Sequence, residues 1–414
     1  MTSAPRDVGR GLLLSALLLY ALNLRGPITS LAPIVSDVSA DLHLTPASAG
    51  LLTGAPVLCF ALVTPLAAAL VTRAGTSVAG IVTLLGVLAG TVLRSTGGFG
   101  TALAGTILIG AAITVGNVAV PVVVARDFSS GIAGVTGAAT AAMNGGAVLT
   151  TIGMAPLAAV AGWRWALASW SIVALAGLAV WWRAYGARAR TSHDEHDEHD
   201  EHSRTGALAA ASPGRPAERP RVMRRPLTWL LVATFAFQSA AYYALSAWLP
   251  TLLHDEAGLS RTGAGAAAAL FQGFGILGGV LAPVAMARLH PRAVTLAIAA
   301  AWLALPVGLL LAPGTWSVWA SLGGVAQAAN YVVIFSVVST VAGSPAAAGR
   351  MSAVVQTAGY VLAGVAPSVL GAIHTATAGW RVPLLVVAGA LLVMATAHTV
   401  AIGALVRHRA AAPG

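Results

Sequence analysis

The chain has 414 residues, of which 57% are hydrophobic and only 9% charged, with a formal net charge of +10 and a mean hydropathy of +0.82. That composition excludes a soluble globular protein, and a single cysteine, Cys59, excludes an internal disulfide. Apolar stretches of about 20 residues, long enough to cross a bilayer as helices, recur from end to end, so the expected class is an all-α polytopic membrane protein.

Twelve spans are predicted, at 11–34, 47–71, 76–95, 99–125, 133–158, 164–185, 227–252, 263–287, 293–312, 316–342, 351–374 and 381–406. The first is too long for a removable signal peptide and lacks its small-residue cleavage site. Its second half, "NLRGPITSLAPI" from Asn23 to Ile34, places Arg25 and Pro27 inside the apolar run. An arginine at that depth costs about 2.5 to 3.5 kcal/mol on insertion scales, so it faces a bundle interior or a wet cavity. Pro27 has no N–H and leaves the carbonyl of Asn23 without its helical partner, while Gly26 lets another backbone come close. A broken helix beside a cation is the pattern of a substrate site at the membrane midplane. The guanidinium is planar, always charged, and forked to suit small oxyanions and carboxylates. Arg25 and Asn23 are therefore candidate substrate-binding residues. The competing reading ties Arg25 to backbone carbonyls or lets it reach toward the interface.

Every other cation but histidine is also arginine. Eighteen of the 23 arginines, including nine from Arg183 to Arg225, fall on one side of the twelve predicted spans, and Arg94, Arg164, Arg261 and Arg381 on the other. The positive-inside rule then puts both termini and the central loop in the cytoplasm, and the basicity orients the chain without implying nucleic acid. All thirteen carboxylates fall in loops or at helix ends. No acid is available within a span to hold a cation or a proton. His374 and His398 are read as lying near span ends, and the other histidines in loops.

Asn117 on the fourth span and Asn144 on the fifth are polar residues that interhelical hydrogen bonding explains as well as ligand binding does. "AGWR" at 161–164 returns at 378–381, each time closing the fifth span of its half, and "APLAA" from Ala155 resembles "APSVL" from Ala366. Gly116-Asn117 is matched by Ala329-Asn330. Between the halves, 186–225 is polar and proline-containing and forms no core of its own. The expected domains are thus residues 1–185, a disordered cytoplasmic loop at 186–225, and residues 226–414. Within the loop, His193, His196, His199 and His202 alternate with carboxylates; composition predicts a solvated segment and no metal site.

On the seventh span Gln238 and Tyr242 share a face one turn apart, and Gln356 and Tyr360 repeat that spacing on the eleventh. Amide and phenol groups read a ligand's hydrogen-bonding edge without adding charge. Tyr243 points elsewhere and suits an aromatic gate. Gln272, Gln327, Asn330 and Tyr331 are weighed against interhelical bonding, which is worth about 0.6 to 2 kcal/mol each. "GFGILGG" at 273–279 reads as a close-contact surface and not as a phosphate loop, because neither a strand nor a lysine accompanies it. Trp163 and Trp380 read as interface anchors.

Two parallel six-span repeats around a long loop are the architecture of the major facilitator superfamily. Within it, the stretch from "NLRGPITSLAPI" to "LVTPLA", together with "GNVAVPVVVARDFS", "FQSAAYYALSAWLPTLL" and "QTAGYVLAGVAPSVLG", resembles the cyanate and 2-nitroimidazole transporter family. The resemblance runs from about Gly11 to the last span and fails in the central loop. It departs from the superfamily's loop between spans two and three, where "ALVTRAGTSV" keeps Arg73 and Gly75 but has Thr72 in place of the usual aspartate. Arg126 with Asp127 is the substitute for that charge network.

Three functions are open at this stage. The favoured one is a secondary or facilitative transporter of a small monovalent anion, cyanate-like or a carboxylate, working by alternating access with no cofactor and no enzymatic step. The second is an exporter of neutral heteroaromatics such as 2-nitroimidazoles, and a remote third is a non-transporting receptor. Nothing points to a catalytic constellation or an ATP-binding motif. The expected partners are a small molecule, the bilayer and, as a coupling ion, protons; a monomer is expected.

Overall fold

The computed structural model describes residues 4–128, 132–191, 226–342 and 345–411, and every regular element among them is helical. The remainder of the central segment beyond Thr191, with the His193 to His202 run, lies outside the described residues. In chain order the elements are α1 (Ala4–Leu22), α2 (Gly26–Thr29), α3 (Val35–Asp41), α4 (Pro46–Arg94), α5 (Phe99–Asp127), α6 (Ile132–Ala161) and α7 (Trp163–Thr191). After the central segment come α8 (Pro226–Ala257), α9 (Arg261–Arg288), α10 (Pro291–Leu311), α11 (Trp316–Ala342), α12 (Pro345–Thr377) and α13 (Arg381–Ala411).

Eleven stretches among the described residues are long and apolar enough to cross a membrane. One of them, α4, has 49 residues and would be about 74 Å long as a single helix, more than twice the apolar thickness of a bilayer. It is broken at Gly75, whose φ of 79° and ψ of 167° only glycine adopts without strain. Residues 46–74 and 76–94 are therefore separate crossings, which makes twelve among the described residues, as predicted.

The described residues form two compact units. One takes in the chain up to Ile34 and from Leu62 to the central segment; the other takes in Val35–Ala61 and the chain after the central segment. In the first unit Trp181 is fully buried, stacks on Tyr20 at 4.7 Å, and donates from its indole to the Ser77 carbonyl. A Cβ at Gly80 would lie 2.2 Å from that indole, so glycine alone admits the ring here. In the second unit the early turns of α4 lie so close to α12 that a Cβ on Gly54 would meet the Gly364 carbonyl oxygen at 2.0 Å. Trp248 of α8 donates to the Pro367 carbonyl at 2.9 Å, and Arg261 pairs with Asp37.

Helix ends follow local chemistry. Ser260 caps α9 by accepting from the Gly263 N–H at 3.1 Å, and Pro291 opens α10 where its missing N–H costs nothing. Both "AGWR" copies turn the chain between helices: Gly162 has φ 81°, and in the second copy Ala378 takes φ 48°. Of the "GFGILGG" glycines, Gly275 and Gly278 lie against α11, where added Cβ atoms would meet Gln327 and the Val325 carbonyl, whereas Gly273 and Gly279 have open space.

Candidate substrate site

In the first unit the helix break falls where Pro27 and Gly26 predict it. The chain leaves α1 at Leu22 and re-enters a helix at Gly26. The backbone groups released at the break find partners. Asn23 and Leu24 donate their N–H groups to the Tyr20 and Ala21 carbonyls at 3.0 Å each, and the Arg25 carbonyl accepts from the N–H groups of Ile28 and Thr29. The Pro27 carbonyl, within the one-turn α2, accepts from Ser30 Oγ at 2.9 Å and from Arg94 Nη1 at 2.8 Å.

Arg25 is half-buried and its Nη1 donates to the Asn144 carboxamide oxygen on α6. That amide aims the guanidinium without neutralising it. Close packing holds the geometry: a Cβ on Gly146 would lie 2.3 Å from the Leu22 carbonyl oxygen, and one on Gly26 would lie 2.3 Å from the Trp170 ring. Thr29 and Thr150 share a hydroxyl hydrogen bond at 2.8 Å, a second tie between α2 and α6.

Asn23 is fully buried and its amide is fully engaged: Nδ2 donates to the Leu19 carbonyl at 2.8 Å and to that of Val173 at 3.4 Å, and Oδ1 accepts from the Trp170 indole at 3.1 Å. Asn117, by contrast, is exposed midway along α5. Arg94, at the end of the third predicted span on the side opposite most of the arginines, is 2% exposed and reaches into the break, with Nη2 donating to Ser30 Oγ at 3.0 Å. Its Nε lacks a hydrogen-bond partner.

In the second unit the predicted residues fall into two groups. Tyr242 donates to Gln272 Oε1 at 3.0 Å, and Gln272 Nε2 donates to Ser246 Oγ at 3.2 Å. Around them runs an aromatic series: Phe271 lies 5.9 Å from Tyr242, Tyr243 lies 4.9 Å from Tyr242 and 6.5 Å from Tyr360, and Tyr360 is 5.2 Å from Phe235 and 5.4 Å from Phe60. Tyr243, Gln356 and Tyr360 are half-buried. Gln238 belongs to the second group, a buried network. Its Nε2 donates to the Gln327 carbonyl at 2.8 Å, and its Oε1 accepts from Trp302 Nε1 at 2.6 Å and from Asn330 Nδ2 at 3.0 Å. His398, placed near a span end by sequence, is 1% exposed within this network. Trp163 and Trp380 are buried as well, and Trp380 donates to Asp255 Oδ2 at 2.8 Å.

Asp127 accepts from Arg126 Nε and Nη2, both at 2.9 Å, and from the Tyr185 hydroxyl at 2.8 Å. Thr72, exposed, bonds to its own helix at the Ala69 carbonyl.

The sequence pattern of the Major Facilitator Superfamily matches residues 13–367. The chain belongs to that superfamily. It is 31% identical over 391 residues to the 2-nitroimidazole transporter of Escherichia coli (strain K12), covering 93% of this chain and 94% of the relative. It is also 24% identical over 410 residues to the cyanate transport protein CynX of the same organism, covering 92% and 96%. Among solved structures, an inward-facing, unoccupied bacterial homolog of the human lysosomal transporter Spinster matches with a TM-score of 0.74 at 16% identity, covering 98% of this chain and 99% of that one. A point mutant of the nucleoside transporter NupG matches with a TM-score of 0.72 at 12% identity, covering 94% and 99%. This superfamily protein is therefore a multi-pass membrane secondary transporter of a small molecule, not an enzyme.

Sequence reasoning missed Arg94 and the buried position of His398, and left Asn144 undecided between glue and ligand. The available signal was the need of a break in a membrane for donors, which an arginine at the end of a span could meet.

Proposed function

We propose that this transporter moves a small monovalent anion, cyanate-like or a carboxylate, by alternating access, with Arg25 as the group that recognises the charge. The observation that carries this is the half-buried Arg25 guanidinium at the break of the first helix, aimed by the neutral Asn144 amide. A forked, permanently charged donor at a fixed position binds a small planar or linear anion through charge-assisted hydrogen bonds. The likeness to a cyanate transport protein supports this reading. Both termini face the cytoplasm, as the arginine distribution requires. The working form is a monomer in the cell membrane.

A second reading has its own support. The aromatic series from Phe60 through Tyr360 and Tyr243 to Tyr242, with the likeness to a 2-nitroimidazole transporter, suits a flat neutral ring carrying a polarised nitro group.

Thermal unfolding of the purified protein separates the two, since a ligand specific for the folded state raises the melting temperature. Cyanate and formate should stabilise the wild type and leave Arg25→Gln unmoved. Stabilisation by 2-nitroimidazole alone, in both proteins alike, would transfer the conclusion to the second reading.

A further inference from the structure

Of the histidines whose side chains are described, His398 alone is buried. Its Nδ1 lies 2.8 Å from Asn330 Oδ1, and its Nε2 has no hydrogen-bond partner. The network around it settles which ring nitrogen carries the hydrogen. At one end the Trp302 indole can only donate; at the other the Gln327 carbonyl can only accept. Gln238 therefore presents Oε1 to Trp302 and Nε2 to Gln327. Because Gln238 Oε1 is an acceptor, Asn330 must face it with Nδ2, which also lies 3.1 Å from Met394 Sδ. Asn330 then turns Oδ1 toward the histidine, and Nδ1 must donate. The neutral ring is the Nδ1–H tautomer, and its one remaining lone pair, on Nε2, is buried and unpartnered.

We propose that Nε2 of His398 is the proton-binding site of this transporter, loaded and emptied once per cycle so that substrate movement is coupled to the proton gradient. Loading adds a proton from water to the Nε2 lone pair and gives an imidazolium with both nitrogens donating; emptying returns it to water and restores the Nδ1–H ring. Imidazole is the side chain whose charge changes between about pH 5 and 8. Ionisable groups inside membrane spans are costly and mark ion pathways. Asn330 of α11 is the side chain hydrogen-bonded to His398, and the groups it bonds in turn, Gln238 of α8 and Met394 of α13, with Trp302 of α10 beyond Gln238, are all neutral. The other ionisable groups with described side chains on α8, α10, α11 and α12 are Tyr242, Tyr243, His254, Asp255, Glu256, Arg292, Tyr331, Tyr360 and His374, and none hydrogen-bonds to it. Gln238 stands one turn from Tyr242 on α8, which links the loaded site to the aromatic series of the second reading. The inference rests on the chain being a transporter, not on the anion reading.

The first test is nitrogen NMR of the full-length protein labelled at histidine, with His398→Asn to assign the signal. Asparagine keeps a donor for Asn330 Oδ1 but cannot titrate. The expected result is an Nδ1–H ring that takes up a proton and becomes imidazolium as the pH is lowered with the protein still folded; an Nε2–H ring, or a ring that never titrates while the protein stays folded, overturns the proposal. The second test places wild type and His398→Asn in liposomes, with protein-free liposomes as blank, and follows radiolabelled cyanate and 2-nitroimidazole. A one-unit pH gradient should change the wild-type distribution by up to about tenfold for one proton per substrate. His398→Asn should exchange substrate across the membrane yet ignore the gradient. Equal response in both proteins, or a wild type that transports without responding, overturns the proposal. Failure of the wild type to move either compound counts against the substrate reading, and the NMR result then decides this one.

Discussion

The first and seventh helices open the two halves of the sequence, and both carry a proline and candidate ligand side chains, yet only the first is broken. Pro250 sits inside a continuous α8, as Pro121, Pro156, Pro283, Pro306 and Pro367 do in their own helices. Pro27 differs in its surroundings. Around it Arg94 and Ser30 donate to the Pro27 carbonyl and Thr29 to that of Arg25, and Gly146 and Gly26 let α6 and Trp170 close over the break. Proline loosens a membrane helix, but the break persists only where neighbours satisfy the freed backbone. The seventh helix stays continuous, and its polar side chains bond across to neighbouring helices instead.

That contrast can be broken by substitution. The largest effect is expected from Gly146→Val, which drives a branched side chain into the Leu22 carbonyl and should destabilise the fold by about 3 kcal/mol or more, the upper end of overpacking costs. Thermal unfolding in detergent would show it, and an unchanged midpoint would mean the break does not need that contact. Arg94→Met comes next. It leaves the Pro27 carbonyl and Ser30 without their strongest donor and should cost about 1 to 3 kcal/mol, with faster hydrogen exchange over residues 23–31 than in the wild type. Unchanged exchange there would assign the break to proline alone. Gln238→Leu tests the other helix: Trp302, Asn330 and the Gln327 carbonyl lose a partner each, and membrane hydrogen bonds average about 0.6 kcal/mol, so a loss of about 2 kcal/mol is expected, with the exchange of residues 23–31 left as it was. The smallest change should come from Arg261→Ala, since its pair with Asp37 is exposed and such pairs contribute about 0 to 1 kcal/mol.

Much of the site was legible from residue type. Arg25 beside Pro27 announced a break, because both features violate the rules of an apolar span at one place. The equal spacing of Gln238–Tyr242 and Gln356–Tyr360 announced shared faces, but not that Gln238 would turn into a closed network while Tyr360 joins an aromatic series. Spacing along one helix says which residues point together; it does not say what the facing helix offers. Asn23 illustrates the limit, since its amide was read as a candidate ligand group and is instead bound on both its oxygen and its nitrogen.

The sequence by itself determined the helical class, the twelve crossings and the superfamily, because apolar length, charge placement and the internal repeat are properties of the chain taken one segment at a time. The tertiary structure alone decided which polar groups are satisfied and which keep a free valence. His398 shows why. Its burial, its tautomer and its open Nε2 follow from Trp302, Gln238, Gln327 and Asn330, contributed by three other helices, and no pattern within α13 encodes them.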